Sequence, residues 1–81
     1  MSDWAAARNF AVDAIDAGWS VLLRHGIDTG DNPFVNVEAR RGHDHIVVTW
    51  HTRATGTYRL FSCMVNLRDV SLKSARAAVT S

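Results

Sequence analysis

The sequence predicts an α+β fold with the element order α-β-β-β-α. In this fold a long N-terminal helix and a short C-terminal helix pack on one face of a three-stranded antiparallel sheet. The chain opens with a helical hydrophobic period, three segments with alternating apolar residues follow, and a second helical period ends it. These segments are Trp4–His25, Phe34–Arg41, His45–Thr52, Thr57–Val65 and Ser71–Val79.

Length and composition indicate one globular domain, residues 1–81. No apolar run approaches the roughly 18 residues of a membrane-spanning helix, and the start of the chain does not resemble a secretory leader. The single cysteine, Cys63, excludes an internal disulfide and is typical of a reducing compartment. We therefore expect a cytoplasmic protein.

The first predicted helix is amphipathic. Asp3 is a favourable N-cap residue, and His25-Gly26 is a typical helix stop. At about 100° per residue, one apolar stripe forms along the helix, and Val12, Trp19 and Leu23 flank and widen it. The stripe consists of Trp4, Ala7, Ala11, Ala14, Ile15, Gly18 and Leu22. Its many small residues predict close packing against a sheet or a second helix.

The three predicted strands form two hairpins. A four-residue connection, Arg41-Gly42-His43-Asp44, predicts the pairs Ala39–Ile46, Val37–Val48 and Val35–Trp50, all on one face. The second hairpin, turning at residues 53–56, predicts the pairs Ile46–Cys63, Val48–Phe61 and Trp50–Arg59. In that register Arg59 can lie on the ring of Trp50. A shift of one residue in the third strand would bury the opposite set of side chains, and this alternative stays open.

The outer sheet face is predicted to mix polar and apolar side chains. Its apolar members, together with Trp19 and Leu23 beside the helix stripe, exceed what a small monomer leaves exposed. We therefore predict a protein interface formed by Val47, Tyr58, Leu60, Met64, Trp19 and Leu23. The competing interpretation is that these are isolated exposed apolar residues, which are common on protein surfaces.

Charge is distributed unevenly along the chain. Residues 1–33 carry five Asp and two Arg, which gives −3, whereas residues 34–81 carry seven basic and three acidic residues, which gives +4. A basic segment of this kind is typical of proteins with an anionic partner. The alternative is that the two halves attract each other or that these charges are simply solvated.

No pattern predicts a catalytic or metal site. His43-Asp44-His45 is the closest group of potential metal ligands, but a structural zinc site usually needs four ligands that include cysteine. Cys63 is predicted to point into the core, away from His45 and His51. We therefore predict a protein that is not an enzyme and that holds no metal or cofactor.

Two short segments carry a family resemblance: Gly42-His43-Asp44-His45 in the first hairpin and Ser71-Leu72-Lys73-Ser74-Ala75-Arg76 at the start of the last helix. They resemble segments of the double-stranded RNA-binding domain, whose elements follow the same α-β-β-β-α order. That family has a Gly-Pro-x-His-like loop between its first two strands, where this chain has Gly42-His43-Asp44-His45. It also opens its last helix with Ser-Lys-Lys-x-Ala-Lys, where this chain has Ser71-Leu72-Lys73-Ser74-Ala75-Arg76. The family's loop proline is replaced by His43, and the first lysine of its helix motif by Leu72.

The resemblance implies recognition of A-form RNA by shape. Lys73 and Arg76 would face phosphates across the major groove, and the loop from Arg40 to His45 would enter a minor groove. The basic edge implied in this way consists of Arg40, Arg41, His43, His45, Lys73 and Arg76.

Two functions follow as hypotheses. The first is a small non-catalytic interaction module that binds a protein partner or itself, with no small-molecule substrate and no membrane contact. In size and arginine usage the chain looks like the small orphan proteins of phages. The alternative is a nucleic-acid-binding domain that uses the basic edge for duplex RNA or DNA.

Overall fold

The structure is a computed structural model that describes residues 4–27, 29–52 and 58–81. Five strands form one antiparallel sheet in sequence order, β1 to β5, and a helix stands at each end of the chain. The elements are α1 (Trp4–Asp16), β1 (Ser20–Ile27), β2 (Pro33–Arg41), β3 (Asp44–Thr52), β4 (Tyr58–Val65), β5 (Arg68–Asp69) and α2 (Leu72–Thr80). The predicted α+β class is confirmed, and the predicted three-stranded sheet is wrong. Asp3 and the predicted turn at 53–56 lie outside the described residues.

Helix α1 ends nine residues before the predicted stop because the chain forms a Schellman motif at Gly18. The amide of Trp19 donates to the carbonyl oxygen of Ala14, and the amide of Gly18 donates to that of Ile15. Gly18 has φ of 90°, the left-handed geometry that glycine adopts most readily. The residues after it form β1, which pairs with β2 over its whole length. The predicted long helix therefore corresponds to a helix and a strand.

The β2–β3 hairpin has the predicted register. Val35 pairs with Trp50 and Val37 with Val48. All four side chains are buried. Gly42 has φ of 60° in the tight turn that joins the two strands.

The predicted β3–β4 register is wrong. Val48 pairs with Cys63, Trp50 pairs with Leu60, and Arg59 lies opposite His51 rather than beside Trp50. A β-bulge between Thr49 and Trp50 leaves Phe61 as the additional residue. Bulges reorient the inserted side chain. Phe61, predicted to point into the core, is 66% exposed.

The C-terminal segment adds a short strand and the predicted second helix. Asn66 and Leu67, both with positive φ, form a two-residue turn that pairs β5 with β4. Helix α2 begins after Ser71, whose side-chain oxygen accepts a hydrogen bond from the amide of Ser74 at 3.1 Å. Ser71 is therefore the N-cap of this helix.

Both helices cover the same face of the sheet, which we call the inner face. Helix α1 packs on β1 and β2, and α2 packs on β4 and on α1. Phe10 of α1 makes an edge-on aromatic contact with Trp50, with ring centroids 6.4 Å apart. Ala75 and Val79 of α2 are buried in the same core. This arrangement leaves the opposite sheet face, the outer face, without a covering helix.

Candidate interaction surfaces

Alternation along the strands places polar and apolar side chains together on the outer face. Reading across the strands from β1, one row contains Gly26, Phe34, His51 and Arg59. The next contains Arg24, Asn36, Thr49 and Ser62, and the third contains Leu22, Glu38, Val47, Met64 and Asp69. These rows define the surface that neither described helix covers.

Three aromatic rings stack at one end of the outer face. The His51 ring lies between Phe34, at 5.7 Å between centroids, and Phe61, at 4.2 Å, with interplanar angles of 24° and 12°. We call Phe34, His51 and Phe61 the aromatic row. The Phe34 ring also lies against Gly26, where an added Cβ would approach it to 2.6 Å. Glycine at this position therefore allows the first ring of the row to lie flat on β1.

A charged cluster lies at the other end of the outer face. Glu38 accepts hydrogen bonds from Arg24 at 3.5 Å and from Arg40 at 3.3 Å, and its Oε2 lies 2.6 Å from Nε2 of His45. The hydrogen bond with His45 is the main cause that lowers the pKa of Glu38, and Arg40 adds to it, whereas partial burial acts in the opposite direction. The carboxylate therefore neutralises much of the positive charge in this cluster.

A surface cavity of about 410 Å³ lies beside Phe61 at the edge of β4. Its lining consists of Leu60, Phe61, Ser62, Cys63, Asp69 and Val70. Strand β5 is only two residues long and pairs with Met64 and Val65 alone. Within the described residues, the part of β4 that carries Phe61 therefore has a free edge.

A second exposed apolar region follows the opposite edge of the sheet. The structure describes eight large apolar side chains as exposed, and five of them lie on α1 or β1. We call these five the edge strip: Val12, Ile15, Leu22, Leu23 and Ile27. Such a concentration on one side of a small domain is typical of an interaction site.

The flank of α1 that carries Val12 and Ile15 lies toward β1. Arg8 precedes these residues at helical spacing, and Arg8 lines a cavity of about 180 Å³ together with Ala7, Leu23 and His25. The opposite flank carries Ala6 and Ala17, which pack against the core. Val12 and Ile15 of α1 therefore lie on the same side of the sheet as Leu23 and Ile27 of β1, whereas Leu22 lies at the same edge on the outer face.

Strand β1 is an edge strand without the usual protection. Among the described strands only β2 pairs with it, so no described strand lies along its other side. It contains no proline or lysine, and Arg24 is its one residue with a permanent charge. Long apolar edges of this kind pair readily with another chain.

The residues predicted as a protein interface are spread over several regions. Val47 and Met64 face each other across β3 and β4 on the outer face and are half-buried. Leu60 lies beside the β4 cavity, and Leu23 belongs to the edge strip. Trp19 is 5% exposed and lies in the core. Tyr58 begins β4, and its side chain lies outside the described part of the molecule.

The residues of the predicted basic edge divide between the two faces. Arg40 and His45 lie on the outer face with Glu38, whereas Lys73 and Arg76 are exposed on α2, which packs on the inner face. His43 is exposed in the β2–β3 turn.

The Arg41 side chain makes its contacts within the fold. Its guanidinium donates to the carbonyl oxygens of Ala17 and Ser81, both at 3.0 Å, and lies 4.5 Å from the centroid of the Trp19 ring.

The described side chains do not assemble a metal-binding or nucleophilic centre. No group of three or more His, Cys, Asp or Glu lies together among them in a way that could hold a metal ion. Burial raises the pKa of the Cys63 thiol, so this cysteine is less reactive than an exposed one. Within the same residues, neither helix has the length and apolar character needed to cross a membrane.

Comparison with known proteins adds no relative. No protein-family model matches the chain, and no curated protein or solved structure shows significant similarity to it. The geometry described above is therefore the basis for the functional proposals.

Sequence reasoning missed most of the edge strip and the aromatic row. Val12 was absent from the predicted interface, and Leu22 was predicted to belong to a helix. The correct pairing of Val35 with Trp50 already implied that Phe34 lies opposite His51. This part of the aromatic row could therefore have been predicted from the sequence. The position of Phe61 depends on the bulge, for which the sequence carries no clear signal.

Proposed function

We propose that the protein is a small non-catalytic interaction module that binds a second copy of itself through the edge strip. The observation that carries this proposal is the coincidence of an unprotected eight-residue edge strand with five exposed large apolar side chains. Pairing of β1 with β1 of a second copy extends the sheet across the edge and covers the apolar side chains at the same time.

A two-fold axis perpendicular to the sheet fits this surface. Antiparallel pairing of the two β1 strands then produces one continuous sheet with the helices of both copies on the same side. Such an interface is self-complementary, as symmetric dimers require. It also leaves the outer face of both copies open.

The position of α1 suits this arrangement. Helix α1 contacts both β1 and β2, so its axis lies over the first two strands. With strands about 4.8 Å apart, the two α1 helices would lie roughly 10 Å from each other, close to the packing distance of helices. Val12 and Ile15 would then fill the space between them.

Charge complementarity supports the antiparallel approach of the two helices. Arg8 and Asp16 stand on either side of Val12 on the exposed flank of α1. A pairing centred on Val12 sets Arg8 of each copy opposite Asp16 of the other. Exposed ion pairs contribute little to affinity, but they favour one orientation over another.

Sedimentation equilibrium tests the proposal. We expect the mass to rise with concentration from 9.0 kDa toward twice that value. Ile15→Glu and Leu23→Glu, at positions that are 57% and 37% exposed, should weaken association at least about tenfold, since each places a carboxylate in an apolar contact.

Leu67→Glu is the matched control. Leu67 is 79% exposed and lies in the β4–β5 turn, away from the edge strip. This variant should associate like the unmodified protein. A monomer at every concentration, or equal effects of all three substitutions, would refute the proposal.

A further inference from the structure

We infer that the aromatic row and Arg59 beside it form a binding site for single-stranded nucleic acid. This site lies on the outer face and is independent of the edge strip. The ligand class follows from three features: a stacked ring with an exposed face, a cation in the same cross-strand row, and polar groups in the adjoining row.

Phe61 supplies the stacking surface. One face of its ring lies on His51 at 4.2 Å between centroids, yet the residue is 66% exposed. Phe61 is the additional residue of the bulge, and its ring plane lies within 12° of that of His51. Unpaired bases stack on exposed aromatic rings of this kind, with little dependence on sequence because every base has a flat face.

The space next to Phe61 is open to a ligand. The cavity of about 410 Å³ lies beside this residue along the free edge of β4. Leu60 and Val70 give this cavity apolar walls. A base stacked on Phe61 therefore loses water and gains apolar contacts at its edges as well as on its stacked face.

The charges around the row fit a phosphate backbone. Arg59 lies opposite His51 in the same cross-strand row, and Arg24 lies in the next row. The strand residues that make up these two rows include no carboxylate among those described. Glu38, which belongs to the third row, pairs with Arg24 and Arg40 and lies beside His45. No ion pair among the described residues involves Arg59, so Arg59 supplies the positive charge at the aromatic end of the face.

The adjoining row offers polar groups to base edges. The Asn36 side-chain amide donates to the Thr49 hydroxyl at 2.9 Å, which fixes its orientation. The side-chain oxygen of Asn36 takes no part in that bond and can accept a hydrogen bond from a base. Ser62 lies in the same row on β4. These groups make the site more suitable for bases than a purely apolar surface.

Single strands are favoured over duplexes because the site recognises the face of a base. In a duplex the base faces are covered by their neighbours, and opening them costs a few kcal/mol. Duplex recognition would use shape and phosphate contacts instead, for which Lys73 and Arg76 on α2 are the residues to test.

Fluorescence anisotropy with labelled oligo(dT) and oligo(rU) of about 10 nucleotides at low salt tests the inference. The unmodified protein should bind both. Phe61→Ala should weaken binding by about 5- to 150-fold, the range expected for loss of one stacked base. Because Phe61 is largely exposed, this variant should stay folded, which circular dichroism checks. Arg59→Gln should weaken binding and reduce its salt dependence.

Two control variants separate the possible outcomes. Leu67→Ala removes an exposed apolar side chain elsewhere and should bind normally. The double variant Lys73→Ala/Arg76→Ala should also bind single strands normally. Absence of binding at low salt, equal affinity of Phe61→Ala and the unmodified protein, or tighter binding of duplex RNA than of single strands would each overturn the inference.

Discussion

The indole Nε1 of Trp19 donates a hydrogen bond of 3.0 Å to the backbone carbonyl oxygen of Val79, 60 positions further along the chain. This contact joins the turn after α1 to the last part of α2. Arg41 adds two hydrogen bonds at the same place, to the carbonyl oxygens of Ala17 and Ser81. Trp19 thus connects the first and last elements of the fold instead of lying on a surface.

Trp19→Phe should destabilise the protein by about 1–3 kcal/mol, because it leaves the buried carbonyl of Val79 without its donor. Urea denaturation followed by circular dichroism measures this loss. Trp19→Phe keeps an aromatic ring under the Arg41 guanidinium, but phenylalanine is smaller than tryptophan, so the measured loss includes lost packing as well as the hydrogen bond. A change of less than about 0.5 kcal/mol would mean that the hydrogen bond contributes little.

Gly18→Ala should destabilise the protein by about 1–2 kcal/mol, because alanine is strained in the left-handed conformation. The φ of 90° at this position requires that conformation, and an added Cβ would meet nothing within 4 Å, so the cost is conformational rather than steric. Asn tolerates positive φ better. Gly18→Asn should therefore cost less than Gly18→Ala in the same denaturation measurement. Equal costs would argue against the Schellman end of α1.

Glu38 should make stability depend on pH in the acidic range. Since folding lowers the pKa of this carboxyl, its contribution is fully present above its ordinary value of about 4.5 and is lost as pH falls through the lower folded value. Glu38→Gln removes the titration. We expect the stability difference between the two proteins to shrink as pH falls below about 4.5. A constant difference over this range would show that Glu38 is not stabilised as a carboxylate.

Charge reversal tests the orientation of α1 in the proposed dimer. Arg8→Glu and Asp16→Arg should each weaken self-association, since each sets like charges opposite each other. A mixture of the two variants should associate more strongly than either alone, because both cross-copy pairs are then attractive. Analytical ultracentrifugation of the separate and mixed variants measures this. If the mixture associates no more strongly than the separate variants, the antiparallel pairing centred on Val12 is excluded.

The central part of the fold was predictable because its residues obey simple alternation. Strands β2 and β3 bury every second residue, so their register follows from apolar pattern and turn length. The N-cap of α2 can be predicted from the sequence in the same way, since Ser71 stands directly before an apolar helical period. Local patterns therefore identified the elements that have one buried face.

Strand β1 was missed because an edge strand has no such pattern. Leu22 and Leu23 lie on opposite faces, and both are exposed, so the segment carries no period of two. The helical period of α1 continues by chance through Gly18 to Leu22, which favoured one long helix. Strand β5 was missed because its turn contains Asn66-Leu67 rather than the Asn-Gly that signals such turns.

The candidate sites could be predicted from the sequence only in part, for the same physical reasons. A site that depends on an irregularity, such as Phe61 at the bulge, is invisible to periodicity. The edge strip depends on which strand ends the sheet, and that is a property of the whole topology. Only the outer-face pair Val47 and Met64 followed from alternation alone.

Amide hydrogen exchange of β1 at high and low protein concentration tests the proposed self-association most directly. If two copies pair through this strand, the outward-facing amides between Ser20 and Ile27 should exchange slowly at high concentration and quickly on dilution. In Leu23→Glu they should exchange quickly at both concentrations. Rapid exchange of these amides at every concentration, or a concentration effect confined to β4, would contradict the account.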